Sequence, residues 1–240
     1  MFALRILASL FVAAFLFCPV EAAAPPNAYV WYKADQNLLD SRNNSSITVL
    51  PGSTMFYGKG KVADAFKFNG STALKIIENP GSLNFGMDNF TIAAWVKFTV
   101  TSNSPVIYQN GYALNDAVLL FFQPSGVARF FIRDGSANAI TIDSDITKPL
   151  NDDKWHYIVA VRSEKSALLY IDGVLHACKT NPALGNINAS CQFSWIGGTN
   201  TTAKCSPTPN DRFLTGLIDE FFIVKRDLPG SEIMNLYLNP

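Results

Sequence analysis

The chain has 240 residues, of which 48% are apolar, 12% aromatic and only 16% charged. That content is enough to bury one sizeable core, and it excludes an intrinsically disordered chain. Lys and Arg together number 19, as do Asp and Glu, so no net field draws the protein to nucleic acid or to an anionic membrane, and neither is expected as a partner.

The N-terminus reads MFALRILASLFVAAFLFCPVEA. A single basic residue, Arg5, precedes an apolar run from Ile6 to Cys18, and Val20-Glu21-Ala22 places small or apolar residues where a signal peptidase reads. This pattern predicts a signal peptide over 1–22, a single domain over 23–240 and a secreted, extracellular protein. The run is shorter than the ~20 residues a spanning helix needs, so no membrane insertion is expected. Export leaves Cys178, Cys191 and Cys205 in an oxidising compartment, where two of them should pair. Cys178 with Cys191, closing the segment KTNPALGNINAS, is the preferred disulfide; Cys191 with Cys205 is the alternative. No C-x-x-C spacing suggests zinc. Export also makes the N-x-S/T sequons at Asn43, Asn44, Asn69, Asn188 and Asn200 candidate glycosylation sites, whereas the sequon at Asn89 opens a strand and is the weakest.

Along the mature chain there are no heptads and no long helical period. FTIAAWVKF (90–98) alternates Phe90, Ile92, Ala94, Val96 and Phe98 on one face. AVLLFF (117–122) leads through Gln123-Pro124-Ser125-Gly126 into VARFFIR (127–133), and DGSAN separates that strand from AITI (139–142). KWHYIVAVR (154–162) is apolar on both faces, as suits an inner strand of two packed sheets. SALLYIDGVLHA (166–177) is a strand, an Asp-Gly pair and a strand. A type I′ hairpin turn needs φ > 0 at both central residues, so backbone geometry explains Asp172. His156 lies inside a strand and His176 past the turn; nothing in sequence brings them together, and each is expected to be a hydrogen-bonded sheet residue. The segment 213–238 reads as a long strand from Phe213 to Val224, a turn, and a short helix. Pro229 falls in the helix's first turn, Glu232 lies near its start, and Ile233, Leu236 and Leu238 are available for packing. Trp31, Trp95, Trp155 and Trp195 sit in strand-like contexts and are assigned to the core. The fold class expected is all-β: a sandwich of two antiparallel sheets with a short C-terminal helix.

Six segments in order carry a family likeness: GKGKVADAFKFNGS (58–71), FTIAAWVKF (90–98), KWHYIVAV (154–161), LLYIDGVLH (168–176), WIGG (195–198) and LTGLIDEFFIVKRDLPGSEI (214–233). Together they resemble the laminin-G-like (LamG) branch of the concanavalin A-like lectin/glucanase superfamily. The resemblance implies a jelly roll and a module that binds glycans or glycosylated extracellular proteins, some through calcium. It further implies a structural Ca2+ held by an Asp of the terminal strand and N-terminal loop groups, which makes Asp219 and Asp40 the metal candidates. Two departures are local: Pro229 replaces the usual Ser or Thr helix cap, and DSRNNSS stands in for a glycine-rich segment.

The superfamily includes glycoside hydrolases, which need two carboxylates flanking one bond. The Glu-x-Asp-x-x-Glu pattern of the related glucanases does not occur. Asp219 and Glu220 are adjacent and are expected to point to opposite faces; Asp143 and Asp145 share a face at a strand end with no Glu beside them. No G-x-S-x-G is present and no Cys-His pair has a plausible base, so no enzyme is expected. For binding, Arg129, Phe131 and Arg133 share one face of VARFFIR and form the candidate platform, with Asn110 and Tyr112 as loop candidates in YQNGYALND. The function expected is a non-catalytic, lectin-like carbohydrate-binding module; the alternative is a structural or adhesive protein-binding module, and the third reading is an unusual glycosidase.

Overall fold

The computed structural model describes residues 27–78, 83–100, 103–111, 117–188, 194–199 and 211–240. The predicted signal segment, Tyr112, Cys191, Asn200 and Cys205 lie outside the described residues. Two antiparallel sheets and one short helix make up the fold. The first sheet runs, in spatial order, β13 (Val174–Thr180), β12 (Ser166–Ile171), β11 (His156–Ser163), β6 (Phe90–Phe98), β15 (Thr215–Val224), β4 (Asp64–Asn69) and β3 (Phe56–Lys59), with β1 (Ala28–Tyr32) also paired to β15. The second runs β10 (Ala139–Asp143), β9 (Ala128–Arg133), β8 (Ala117–Phe122), β7 (Val106–Gly111), β14 (Ser194–Ile196), β5 (Leu74–Glu78) and β2 (Ser45–Val49). The helix α1 covers Gly230–Leu238.

The two-residue alternation of β6 positions the layers. Phe90, Ile92, Ala94, Val96 and Phe98 point between the sheets, where they meet Phe122 and Phe130 of the second sheet. Ala93 and Trp95 point the other way, into a second cluster with Trp31, Tyr157, Val159 and Phe222 that Ile233 and Leu236 of α1 cover. Trp95 stacks on Tyr237 at 5.5 Å between ring centroids. Two-sided burial thus has separate causes on the two faces: the opposing sheet and the helix. Leu238 does not join the packing; it is 65% exposed, because it falls off the Ile233–Leu236 stripe of the helix. Pro229 stands at the N-cap rather than inside the first turn, and the terminal strand begins at Thr215, two residues later than expected.

The Asp-Gly hairpin forms as expected, with φ of 51° at Asp172 and 80° at Gly173. Arg162 of β11 is fully buried. Its guanidinium donates to the carbonyls of Gly86 (2.7 Å), Gly185 (2.9 Å) and Glu164 (3.2 Å), joining two loops that also pair with each other through Gly86 and Ile187. Asn43, Asn44, Asn69 and Asn188 are all exposed, as is Cys178 on the edge strand β13.

Candidate functional site

The acids of the terminal strand lie together rather than apart. Between Asp219 and Phe222 the pairing of β15 with β6 shifts register, and Glu220 takes a left-handed φ of 49°. This β-bulge breaks the alternation, so both side chains sit on the helix-covered face, contrary to the expectation of opposite faces. Asp219 accepts backbone N–H groups from Lys61 (2.8 Å), Val62 (2.9 Å) and Glu220 (2.8 Å). Glu220 accepts the Trp31 indole N–H at 2.5 Å. Both carboxyls are buried, Asp219 completely. Glu220 borders only a small cleft of about 20 Å3 beside Trp95, Tyr157 and Leu236, too small for a sugar ring, so the pair lacks the access a glycosidase couple needs.

Asp40 is buried in a separate loop, where it accepts N–H groups from Trp31, Arg42, Asn44 and Ser45 as well as the Ser45 hydroxyl. Asp40 and Asp219 therefore do not fit a shared calcium centre: each carboxylate is ringed by backbone donors, and a cation would have to displace them. Among the described residues no group of three His, Cys, Asp or Glu side chains is arranged to hold a metal.

Burial pushes the Asp219 carboxyl up to about 8, with the neighbouring Glu220 adding to the rise against three N–H donors. Burial likewise pushes Glu220 up to about 7, opposed by Trp31. From about pH 4 up to those values the unfolded chain is ionised while the folded chain keeps its protons, so this stability is present at low pH and lost as pH rises. His156 acts in the same direction. Burial of its ring lowers its affinity for a proton, but hydrogen bonds to Asp172 and then Asp152 outweigh this and raise its pKa. Its contribution holds below the ordinary imidazole value and disappears above the raised one. Thermal melts should therefore give a Tm several degrees higher at about pH 5 than at about pH 8.5, and Glu220→Gln should narrow that gap. A Tm that rises across the interval would contradict the assignment.

The two histidines do meet. His156 and His176 line one pocket of about 400 Å3 with Asp152 and Asp172. The hairpin folds β13 back beside the loop before β11, a juxtaposition that sequence spacing does not reveal. His156 Nδ1 lies 2.9 Å from Asp172 and Nε2 lies 3.0 Å from Asp152, so both ring nitrogens are engaged. His176 Nδ1 accepts the Asp145 N–H at 3.4 Å. Both remain hydrogen-bonded sheet residues, and His156 has no free nitrogen for base catalysis.

The open aromatic surface lies on the second sheet. In β9, Phe130 and Ile132 face the core, while Arg129, Phe131 and Arg133 face outward and are partly exposed. Register places Phe121 opposite Arg129 on β8, and Asp143 opposite it on β10. Arg129 forms a bidentate pair with Asp143, at 2.6 and 2.8 Å. The Arg212 guanidinium lies 4.1 Å over the Phe121 ring. Phe121 and Arg212 were not among the sequence candidates, because their contact depends on strand register and on a residue far along the chain. The outward row continues from Phe131 through Leu119 and Gln109 to Trp195, and these last three are almost fully buried. Trp195 is thus covered on the outer face and does not lie in the core between the sheets. Asn110 departs from expectation: it belongs to strand β7, is 1% exposed, and donates to Ser194 inside the fold at 2.9 Å.

This architecture of two antiparallel sheets with a covering helix defines a class of jelly-roll, lectin-like domains. A laminin-G-like model described as the concanavalin A-like lectin/glucanases superfamily matches residues 68–234, more than half of the chain, and the chain belongs to that superfamily. No curated protein matches the chain in sequence. Among solved structures, the binding domain of Paraclostridial Mosquitocidal Protein 1 is similar with a TM-score of 0.70 and 19% identity, over 88% of this chain and 52% of that one. Domain 4 of AbnA, an extracellular arabinanase from Geobacillus stearothermophilus solved with arabinotriose, gives a TM-score of 0.68 and 20% identity, over 88% of this chain and 98% of that one. The botulinum neurotoxin serotype G binding domain gives 0.67 and 20%, over 88% and 51%. The chain thus spans about half the length of the toxin binding domains. No helix among the described residues is long and apolar enough to cross a membrane.

Proposed function

We propose that this protein is a secreted, non-catalytic carbohydrate-binding module that engages glycans or glycosylated extracellular proteins through the outer face of its second sheet. The observation that carries this reading is the partly exposed pair Phe121 and Phe131 on neighbouring strands, flanked by Arg129, Arg133 and Arg212. Aromatic rings offer flat apolar faces to the C–H surface of a sugar, and fixed guanidinium groups offer donors to its oxygens. Asp143 holds Arg129 in place, so little side-chain freedom is lost on binding. The binding domains of similar fold are consistent with this use of the scaffold.

A glycan array tests it, run once with calcium and once with a chelator so that any ion dependence of binding is read directly. The double variant Phe121→Ala/Phe131→Ala should lose at least about tenfold in affinity for any glycan retained by the parent, while its Tm falls little. An array silent under both conditions would overturn the carbohydrate reading. It would favour a structural or adhesive protein-binding module, for which the edge strand β13, with Val174 53% and Leu175 47% exposed, is the available surface.

A further inference from the structure

The face of the first sheet that α1 covers holds a small polar site that apolar packing does not explain. Tyr157 of β11 and Glu220 of β15 are only 2% and 6% exposed. The Tyr157 hydroxyl and Glu220 Oε1 nevertheless have no hydrogen-bond partner among the described residues. Buried polar atoms normally find one, because stranding them is costly. Both residues line the cleft of about 20 Å3, with Trp95 and Phe222 on the sheet side and Leu236, Asn239 and Pro240 on the helix side.

Size and stereochemistry name the occupant. About 10–15 Å3 of such space holds one water molecule, so the cleft admits a water and little more. Glu220 Oε2 already accepts the Trp31 indole N–H at 2.5 Å, which leaves the proton of the neutral acid to Oε1. Burial keeps that proton in place up to about pH 7. Burial also raises the pKa of the Tyr157 phenol, and Glu220 is the carboxyl that acts on it most strongly, so the two groups are neighbours. Two O–H donors are thus brought to one cleft without an acceptor, and a water oxygen has the two lone pairs that take both. A bound cation has no lone pair to offer either of them. When Glu220 ionises, the same water donates to Oε1 instead, so the bridge survives in both protonation states. Asn239, the exposed member of the lining, borders the solvent side, where the remaining hydrogen of the water finds its acceptor.

We infer that one water molecule, held between the Tyr157 hydroxyl and Glu220 Oε1, is the polar tie that seats the C-terminal half of α1 on the first sheet. The rest of that contact is apolar: Ile233 and Leu236 pack into the cluster, Tyr237 stacks on Trp95, and Met234 lies over Gly173. Among the described residues, the side-chain hydrogen bonds that join α1 to the rest of the chain are those of Glu232 with Arg226, at 2.7 and 3.0 Å, and they fix only its first turn. The Asn239 amide bonds back to Asn235 within the helix. The inference does not depend on the carbohydrate reading.

The sign of one melting-temperature shift tests this. Tyr157→Phe deletes a single hydroxyl. If a water pairs that hydroxyl, Tm at pH 5 should fall by roughly 2–4 °C; a hydroxyl buried with no partner would be relieved by its loss, and Tm would hold or rise. The fall should recur in a Glu220→Gln background, where the amide can donate to the same water. It should largely disappear in a Glu220→Met background, where the second anchor is gone. A crystal structure should show one ordered water about 2.5–3.0 Å from both oxygens. Amide exchange over 236–239 should quicken several-fold in Tyr157→Phe while β8 and β9 keep their protection. A Tm that holds or rises in Tyr157→Phe, or equal falls in the parent and Glu220→Met backgrounds, would overturn the bridge. So would an ordered metal ion in place of the water. Exchange that quickens equally in β8 and β9 would overturn the seating of α1.

Discussion

Gly197→Ala is expected to lower the melting temperature by roughly 10 °C, through about 2–5 kcal/mol of lost stability. Two causes add. Gly197 has φ +80°, a left-handed conformation that costs an L side chain about 1–2 kcal/mol. A Cβ there would also lie 2.2 Å from Cε1 and 2.5 Å from Cδ1 of Phe68, which is only 2% exposed and packed between the sheets. The ring has nowhere to retreat, so overpacking adds roughly 1–3 kcal/mol. The backbone on either side is fixed as well: the Gly197 N–H donates to Ile107 at 3.1 Å, and its carbonyl accepts from Leu214 at 2.9 Å. Gly52→Ala separates the two causes. Gly52 has φ +81° but open space around its Cβ position, so alanine there should cost only the backbone share. Equal losses at the two sites would mean that Phe68 does not press on Gly197. Differential scanning calorimetry of both variants reads this directly.

Arg162→Met should be of similar severity, at about 3–5 kcal/mol, read as a fall in the urea midpoint. Methionine fills much of the volume but returns no donors to the carbonyls of Gly86, Gly185 and Glu164. Those oxygens converge on a fully buried side chain, so the change removes three charge-assisted hydrogen bonds at once and unties the two loops they join. Arg162→Lys should rescue only part of the loss, because a single ammonium cannot span three carbonyls set around a planar fork. The backbone over 83–89 and 181–188 should become protease-sensitive in both variants, since Arg162 ties these segments together. Full rescue by lysine would show that charge, not geometry, holds them.

Much of the fold was legible because strand patterning is local. The alternation of Phe90 to Phe98 announced an inner strand, and Asp172-Gly173 announced a hairpin, since each depends only on near neighbours in the chain. What escaped depended on register and long-range contact. Strict alternation separates Asp219 from Glu220; the bulge that unites them is a break in pairing with β6, which no motif around residue 219 marks. Asn110 was read as a loop ligand within YQNGYALND, yet its pairing with Ser194 and that of Gly111 with Ala117 carry the strand through both residues. The Phe131 face was recognised from the β9 alternation alone. Its completion by Phe121 and Arg212 needed the β8–β9 register and a residue from the far end of the chain.

The placement of β15 also governs how the protein is made. It lies between β6 and β4 and carries β1, so Ala28 must wait for Val224 before it finds its partner. Until the ribosome has released that strand, β6 and β4 each present an unfilled edge and the first sheet is split in two. Assembly of the first sheet therefore waits for β15 and is dominated by distant pairings, the regime in which folding takes milliseconds to seconds and exposed edges invite aggregation.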